Sequence, residues 1–183
     1  MTGHHLILGE LTDTITGEIL ADTLDERYRQ NLARLLIEKK GYAKSEVHPR
    51  RSLTARAGRQ SAVLTIDFVV TLGEQIGMIV KFGPGSITTR HRPALAAARL
   101  LAPYQIPVVV VTNGEDADVL DGASGRVIGR SLEDLPDRQR LQATIAAAEV
   151  TLVSAQRAEM ESRILYAYEV DGACPCDETI CRL

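Results

Sequence analysis

Apolar positions along the chain follow two periods, and the switches between them lay out the elements. Leu24, Tyr28, Leu32, Leu35 and Leu36 recur at helical spacing. Thr23 with Glu26 three residues on has the form of a capping box, and Gly41 stands where a C′ glycine closes a helix. Period two then takes over: residues 46–53 predict a first strand and 54–60, with Gly58, a polar basic hairpin loop. Residues 63–72 predict a second strand, Gly73-Glu74-Gln75 a tight turn, and 76–82 a third strand. An alanine-rich helix is expected over 93–102 with Pro93 at N1, small enough on one side to pack closely against a sheet. Pro107 and the four valines after it predict a buried central strand, and 117–121 and 126–128 flank Gly122-Ala123-Ser124-Gly125 as an edge hairpin. Between 136 and about 170, Leu141, Ile145, Ala148, Leu152, Ala155, Met160, Ile164, Leu165 and Tyr168 keep a helical pattern that breaks once. The two resulting helices are expected to cover the sheet or to pair with a second copy as a homodimer. Residues 1–21 carry only weak pattern, with a turn at Gly17-Glu18.

Composition adds bounds. At 183 residues and 45% apolar content the chain has material for one ordinary core. The expected division is an N-terminal extension (1–22), a core (23–130), C-terminal helices (131–170) and a cysteine-containing tail (171–183). No apolar run nears transmembrane length and no signal-peptide pattern opens the chain, so a cytoplasmic protein without membrane contact is expected. A net charge of −3 excludes a globally basic nucleic-acid binder, so any such surface is local.

Candidate chemistry centres on Asp67 in the second core strand and Lys81 in the third. Metal-dependent nucleases of the PD-(D/E)xK type carry an acid on one strand, then an acid and a lysine two apart on the next. Strand side chains alternate faces, so residues two apart point the same way. Here the third strand reads Ile79-Val80-Lys81: the lysine is present and isoleucine stands at the acidic position. Mg²⁺ or Mn²⁺ needs hard oxygen ligands, so Asp67 requires help from a backbone carbonyl, substrate phosphates, or an acid such as Glu26 or Glu74.

The stretch Leu24-Asp25-Glu26-Arg27-Tyr28-Arg29-Gln30-Asn31-Leu32, the Lys40-Gly41-Tyr42 turn, and the apolar strand ending in Thr112-Asn113-Gly114 carry a wider likeness. With Asp67 and Lys81 they resemble the N-terminal nuclease domain of type I restriction enzyme R subunits. The resemblance implies an α/β, restriction-endonuclease-like fold: a mixed central sheet with an α-β-β-β-α-β core flanked by helices. It also implies that Asp67, Lys81 and the helix acid Glu26 are the catalytic positions, with Asp67 holding Mg. Two departures mark this chain. Isoleucine replaces the acid at position 79, and the helix after the lysine strand lacks the glutamine that relatives carry. The helicase-like motor that follows this domain in R subunits has no room in 183 residues.

Local basic positions supply an expected DNA or RNA surface: Arg50, Arg51, Arg56 and Arg59, then Ser86, Arg90, His91 and Arg92 after the lysine strand. The segment 82–93 has two glycines and several hydroxyls, which either present N–H groups to a phosphate or simply form a tight turn. Cys174, Cys176 and Cys181 hold all the chain's thiols within eight residues and are candidates for Zn²⁺ or an iron–sulfur cluster, lacking a fourth ligand. Three readings follow. One is a catalytically degenerate domain that binds nucleic acid or a partner. Another is an active Mg-dependent nuclease whose missing ligand comes from Glu26 or Glu74. The third is a metal or redox interaction protein working through the cysteine tail.

Overall fold

The computed structural model describes residues 6–171 and the backbone of residues 181–182. The elements, in chain order, begin with a small antiparallel hairpin, β1 (Glu10–Thr12) and β2 (Ile19–Ala21). Helix α1 (Leu24–Arg34) follows and runs on into a π-helical turn, Leu35–Lys39. Strands β3 (Val47–Ala57), β4 (Gln60–Leu72) and β5 (Gln75–Phe82) form an antiparallel meander. Helix α2 (His91–Leu101) then crosses to β6 (Val108–Thr112), which pairs parallel to β5. Strands β7 (Ala117–Asp121) and β8 (Val127–Gly129) extend the sheet antiparallel. Helices α3 (Arg138–Ala147) and α4 (Ala155–Tyr166) close the molecule, and α4 continues into a second π-helical turn, Ala167–Asp171. The short strand β9 (Cys181–Arg182) adds to β4. The sheet order is β3-β4-β5-β6-β7-β8 with β9 beside β4, seven strands of mixed direction. From α1 to β6 the elements follow the predicted α-β-β-β-α-β order.

Two apolar layers explain why these strands read as near-continuous hydrophobic runs. On one face, Leu32 and Ala33 of α1, Leu36 of the π-helical turn after it and Leu141 of α3 pack against Met78, Val80, Val108 and Val110. On the other, Ala94 and Ala96 to Ala98 of α2, with Leu165 and Tyr166 of α4, pack against Ile79, Val109 and Val111. Strands covered on both sides have no polar face to show. The β3–β4 hairpin departs from this simple sandwich. Phe68 and Val70 belong to the α1 layer, yet Ala62, Leu64 and Ile66, of the same alternation, belong to the α2/α4 layer. The changeover lies at Arg50, whose φ of 52° makes it the non-glycine residue in the left-handed region among the described residues. The ladder pairs Pro49 with Phe68 and Arg51 with Ile66 and skips the Arg50/Asp67 position. A left-handed residue in one strand coils the ribbon there, so its outer half folds over α4.

Several boundaries differ from the sequence expectation. The loop expected over 54–60 is mostly strand, because Leu53 and Ala55 face the core while Thr54 and Arg56 face out, continuing period two up to the turn after Ala57. The weakly patterned N-terminus contains β1 and β2, strands of three residues too short to show alternation. Pro93 sits in the third helical position rather than the first, because a 3₁₀ turn at Thr88–Arg90 leads into His91. The change costs nothing in hydrogen bonding, since the N–H groups of a first turn lack helical partners anyway. Leu152 lies in the connection between α3 and α4 and is exposed, as are Met160 and Tyr168. The helical spacing there ran across a break.

Gly122, which follows β7, donates its N–H to the carbonyl of Pro107 at 2.7 Å. A Cβ at this position would lie 1.9 Å from the carbonyl oxygen of Ile106. Backbone met by backbone cannot rotate away, so Gly122→Ala is expected to destabilise the protein by about 3 kcal/mol or more. Urea unfolding of the variant checks this; an unchanged midpoint would mean that the end of β7 shifts freely.

Candidate functional site

Strand β4 parts from β5 at Asp67, and the side chain fills the fork. The β4–β5 ladder ends at Phe68↔Val80, with Ile79 opposite Val69. One position further, Asp67 turns its Oδ2 onto the backbone N–H of Phe82 at 2.8 Å and its Oδ1 onto Nε of Arg29 at 2.7 Å. The carboxylate thus replaces the strand carbonyl that would otherwise accept from Phe82, and Asp67 is buried. A charge taken out of water needs such hydrogen-bonded partners.

Arg29 comes from the second turn of α1 and ties the helix to this fork. Its guanidinium also lies 3.6 Å from Glu26 and stacks over the ring of Phe82, 5.1 Å from the centroid. Burial works against its charge, but Asp67 and then Glu26 and Asp25 more than offset that and raise its pKa. Glu26 does not close the predicted capping box. Thr23 Oγ1 accepts from the Glu26 N–H, but the N–H of Thr23 already donates to the carbonyl of Ala21. The Glu26 carboxylate instead accepts from Gln30 Nε2 at 2.9 Å.

Gln30 passes the network to Asp13 in the β1–β2 turn, donating at 3.1 Å. Asp13 is nearly fully buried and accepts from the N–H groups of Ile15 and Thr16, both at 2.8 Å, and from Arg50 at 2.7 Å. Burial pushes its pKa up, yet the Thr16 N–H, Arg50, Ile15 and Gln30 together pull it down to about 2. Arg50 also reaches Glu18 and lies 4.0 Å from Glu26. Its left-handed backbone, unfavourable for a side chain of this size, is held by these contacts.

Lys81 projects on the same face as Ile79. Its Nζ donates to Glu169, in the π-helical turn after α4, at 3.1 Å and to the carbonyl of Thr65 at 3.4 Å. Ile79 is fully buried against the α2/α4 layer. Glu74 is exposed in the β4–β5 turn, seven residues along β4 from Asp67. At about 3.3 Å of rise per residue that is roughly 20 Å away, so the two acids share no site.

The structure scatters the expected nucleic-acid residues. Arg56 and Arg59 are exposed near the β3–β4 turn, and Ser86 is exposed in the loop after β5. Arg90 folds back to donate to the carbonyl of Pro84 at 2.9 Å. His91 Nε2 lies 2.7 Å from Asp118 Oδ2, and Arg92 is committed to the buried Glu161 at 2.5 Å. The last three were expected to face a phosphate; local acids and carbonyls claim them first. Arg99, open between site and solvent from sequence, lies on Glu161. Cys174 and Cys176 lie outside the described residues, and Cys181 is described only as the backbone of β9. Among the described residues no group of three or more His, Cys, Asp or Glu side chains is placed to hold a metal ion, and no helix is long and apolar enough to cross a membrane.

The residues that sequence reasoning passed over as site members are Asp13, Arg29, Gln30 and Glu169. Arg29 and Gln30 left a signal, standing three and four residues from Glu26 on one helix face.

The antiparallel β3–β4–β5 meander, the crossover through α2 and the parallel β6, with a carboxylate and a lysine where β4 and β5 diverge, define an α/β nuclease-like fold. The sequence model of the family described as type I restriction enzyme R protein N terminus matches residues 24–136, more than half the chain, and the protein belongs to that family. Comparison with curated proteins and with solved structures returned no match. The stretches that carried the resemblance meet in space. Tyr28 stacks on Phe82 with ring centroids 5.8 Å apart, and a Cβ on Gly114, which has a φ of 95°, would lie 2.3 Å from the Tyr28 ring. Only glycine fits between that turn and the helix.

The depressed pKa of Asp13 makes a pH prediction. Its folded value of about 2 lies below the ordinary 3.8, so its contribution is fully present above pH 3.8 and is lost as pH falls through about 2. The shift corresponds to about 2 kcal/mol. Asp13→Asn should be less stable than the parent by about that amount at neutral pH, with the gap closing as the pH falls through that window. Unfolding free energies across the range test this; a gap independent of pH would refute the assignment.

Proposed function

We propose that this protein is a catalytically degenerate, cytoplasmic member of the type I restriction R-subunit N-terminal family, retained to bind nucleic acid. The observation that carries the reading is the pairing of Arg29 with Asp67 beside a buried Ile79. Both oxygens of Asp67 are engaged, the acid position is an aliphatic side chain packed in the core, and Lys81 is held by Glu169. The Mg²⁺ or Mn²⁺ implied by the fold needs several hard oxygen ligands. The donor set here does not fit that requirement, because a guanidinium already supplies the positive charge that a metal would bring to Asp67. Nucleic-acid contact then falls to exposed cations such as Arg56 and Arg59 at the β3–β4 turn, whose interaction with phosphates is sensitive to salt.

One observation favours an alternative. Arg29 brings Glu26 and Asp67 to a single guanidinium, so a substrate phosphate that drew Arg29 away would leave two carboxylates side by side.

Cleavage and binding assays on single- and double-stranded DNA and RNA separate the two. The degenerate reading expects no Mg²⁺- or Mn²⁺-dependent cleavage by the parent or by Asp67→Ala, together with metal-independent binding. Replacing both Arg56 and Arg59 by glutamate should weaken that binding by about tenfold or more at moderate salt. Cleavage by the parent that disappears in both Asp67→Ala and Glu26→Gln would establish the alternative. Absence of binding to all four substrates would overturn the nucleic-acid role.

A further inference from the structure

Far from the Asp67 fork in sequence, Glu161 on α4 presents a fully buried carboxylate surrounded by three guanidiniums. Its Oε1 accepts from Arg157 Nε at 2.6 Å and from Arg99 at 2.9 Å, and its Oε2 accepts from Arg92 at 2.5 Å. Three guanidiniums against one carboxylate leave a net charge of +2, and among the described residues no other acid pairs with these arginines. Arg99 is largely buried while Arg92 and Arg157 reach solvent, so the single carboxylate faces more guanidinium charge than it neutralises and the rest is left to water or to a ligand. Arg99 bears the consequence: burial first, then the like charges of Arg157 and Arg92, outweigh Glu161 and lower its pKa.

Two of the three guanidiniums, those of Arg99 and Arg157, face open space. A cavity of about 510 Å³ is lined by Arg99 and Arg157 together with the apolar Leu152 and Met160, a size suited to a small organic molecule. Leu152 and Met160 are 72% and 47% exposed, apolar side chains held in water at the cavity wall. The first turn of the twelve-residue α4 borders the same space through Ser154 and Gln156. Ser154 caps the helix by accepting from the Arg157 N–H, while the first-turn N–H of Gln156 has no partner within the helix. The wall is firmly built. The Gln105 N–H donates to Thr151 and the Val153 N–H to Pro103, both at 2.9 Å, so the segment before α4 is laced to the loop after α2.

We infer that this cavity binds a small organic anion, with a carboxylate or phosphate head on Arg99, Arg157 and the start of α4, and an apolar body against Leu152 and Met160. A monoanion or dianion would offset the surplus positive charge, and a bidentate fit to guanidinium suits both head groups. An apolar body would cover the exposed Leu152 and Met160, which inorganic phosphate leaves bare.

Calorimetric titration of the whole protein with hexanoate, hexyl phosphate and inorganic phosphate tests the inference, with NMR of the methionine methyls reporting location. At least one of the two hexyl probes should bind one to one with a dissociation constant below about a millimolar, and inorganic phosphate about tenfold more weakly. The tighter of the two hexyl probes identifies the head group. Arg157→Gln removes a half-exposed guanidinium and should weaken binding about tenfold or more. Leu152→Glu leaves all three arginines in place on an exposed connection and should abolish binding by occupying the mouth with like charge. No saturable binding of either hexyl probe overturns the inference, as does binding that survives both variants unchanged.

Discussion

A carboxylate held in the fork between two strands organises one end of this protein. Asp67 accepts from the backbone of β5 with one oxygen and from Arg29 of α1 with the other, so a single side chain joins β4, β5 and α1. Removing this side chain would leave the Phe82 N–H without its acceptor and Arg29 without its main counter-charge, at the position opposite Arg50 where the hairpin coils. The coil in turn lets the outer half of the β3–β4 ribbon pack over α4. Asp67 is also the residue at which the sequence resemblance led one to expect a metal ion.

A metal ion and a guanidinium answer the same electrostatic demand in different ways. A divalent cation must collect ligands from several strands and keeps part of its coordination open for water, which is why an active site needs its second acid. A guanidinium needs only hydrogen-bond acceptors, carries its charge permanently and stacks on an aromatic ring. Arg29 does all of this between Asp67, Glu26 and Phe82. Under the proposed degenerate reading, the charge comes from within the chain, and Ile79 contributes core packing instead of a ligand. Lys81 likewise finds a resident partner in Glu169.

Helix α4 links two charged centres on the α2 side of the sheet. It carries Arg157 and Glu161, and the π-helical turn that extends it carries Glu169. Glu161 is fully buried and accepts from three guanidiniums, two of which, Arg92 and Arg157, also reach solvent. On the opposite side of the sheet, Asp13 and Gln30 carry the Asp67–Arg29–Glu26 network into the β1–β2 hairpin, so the N-terminal segment is part of that separate polar system.

The sequence by itself determined the order of the elements and the family. Helical and strand periods arise from the spacing of near neighbours, and α1, β4, β5 and β6 each bury a face, or both, that the pattern records. The residues that meet around Phe82, Tyr28 and Gly114, were legible as family signature for the same reason: their fit allows few substitutes. Where local pattern was short or polar, as in β1, β2 and the outward positions of β3, it carried no signal. Only the tertiary structure decided which charges meet. Arg29 and Asp67 are 38 residues apart, Lys81 and Glu169 are 88 apart, and Arg92 and Glu161 are 69 apart. Any arginine is chemically suited to any carboxylate, so these partners are chosen by the way the sheet and helices bring them together, and that choice is absent from any stretch of neighbouring residues.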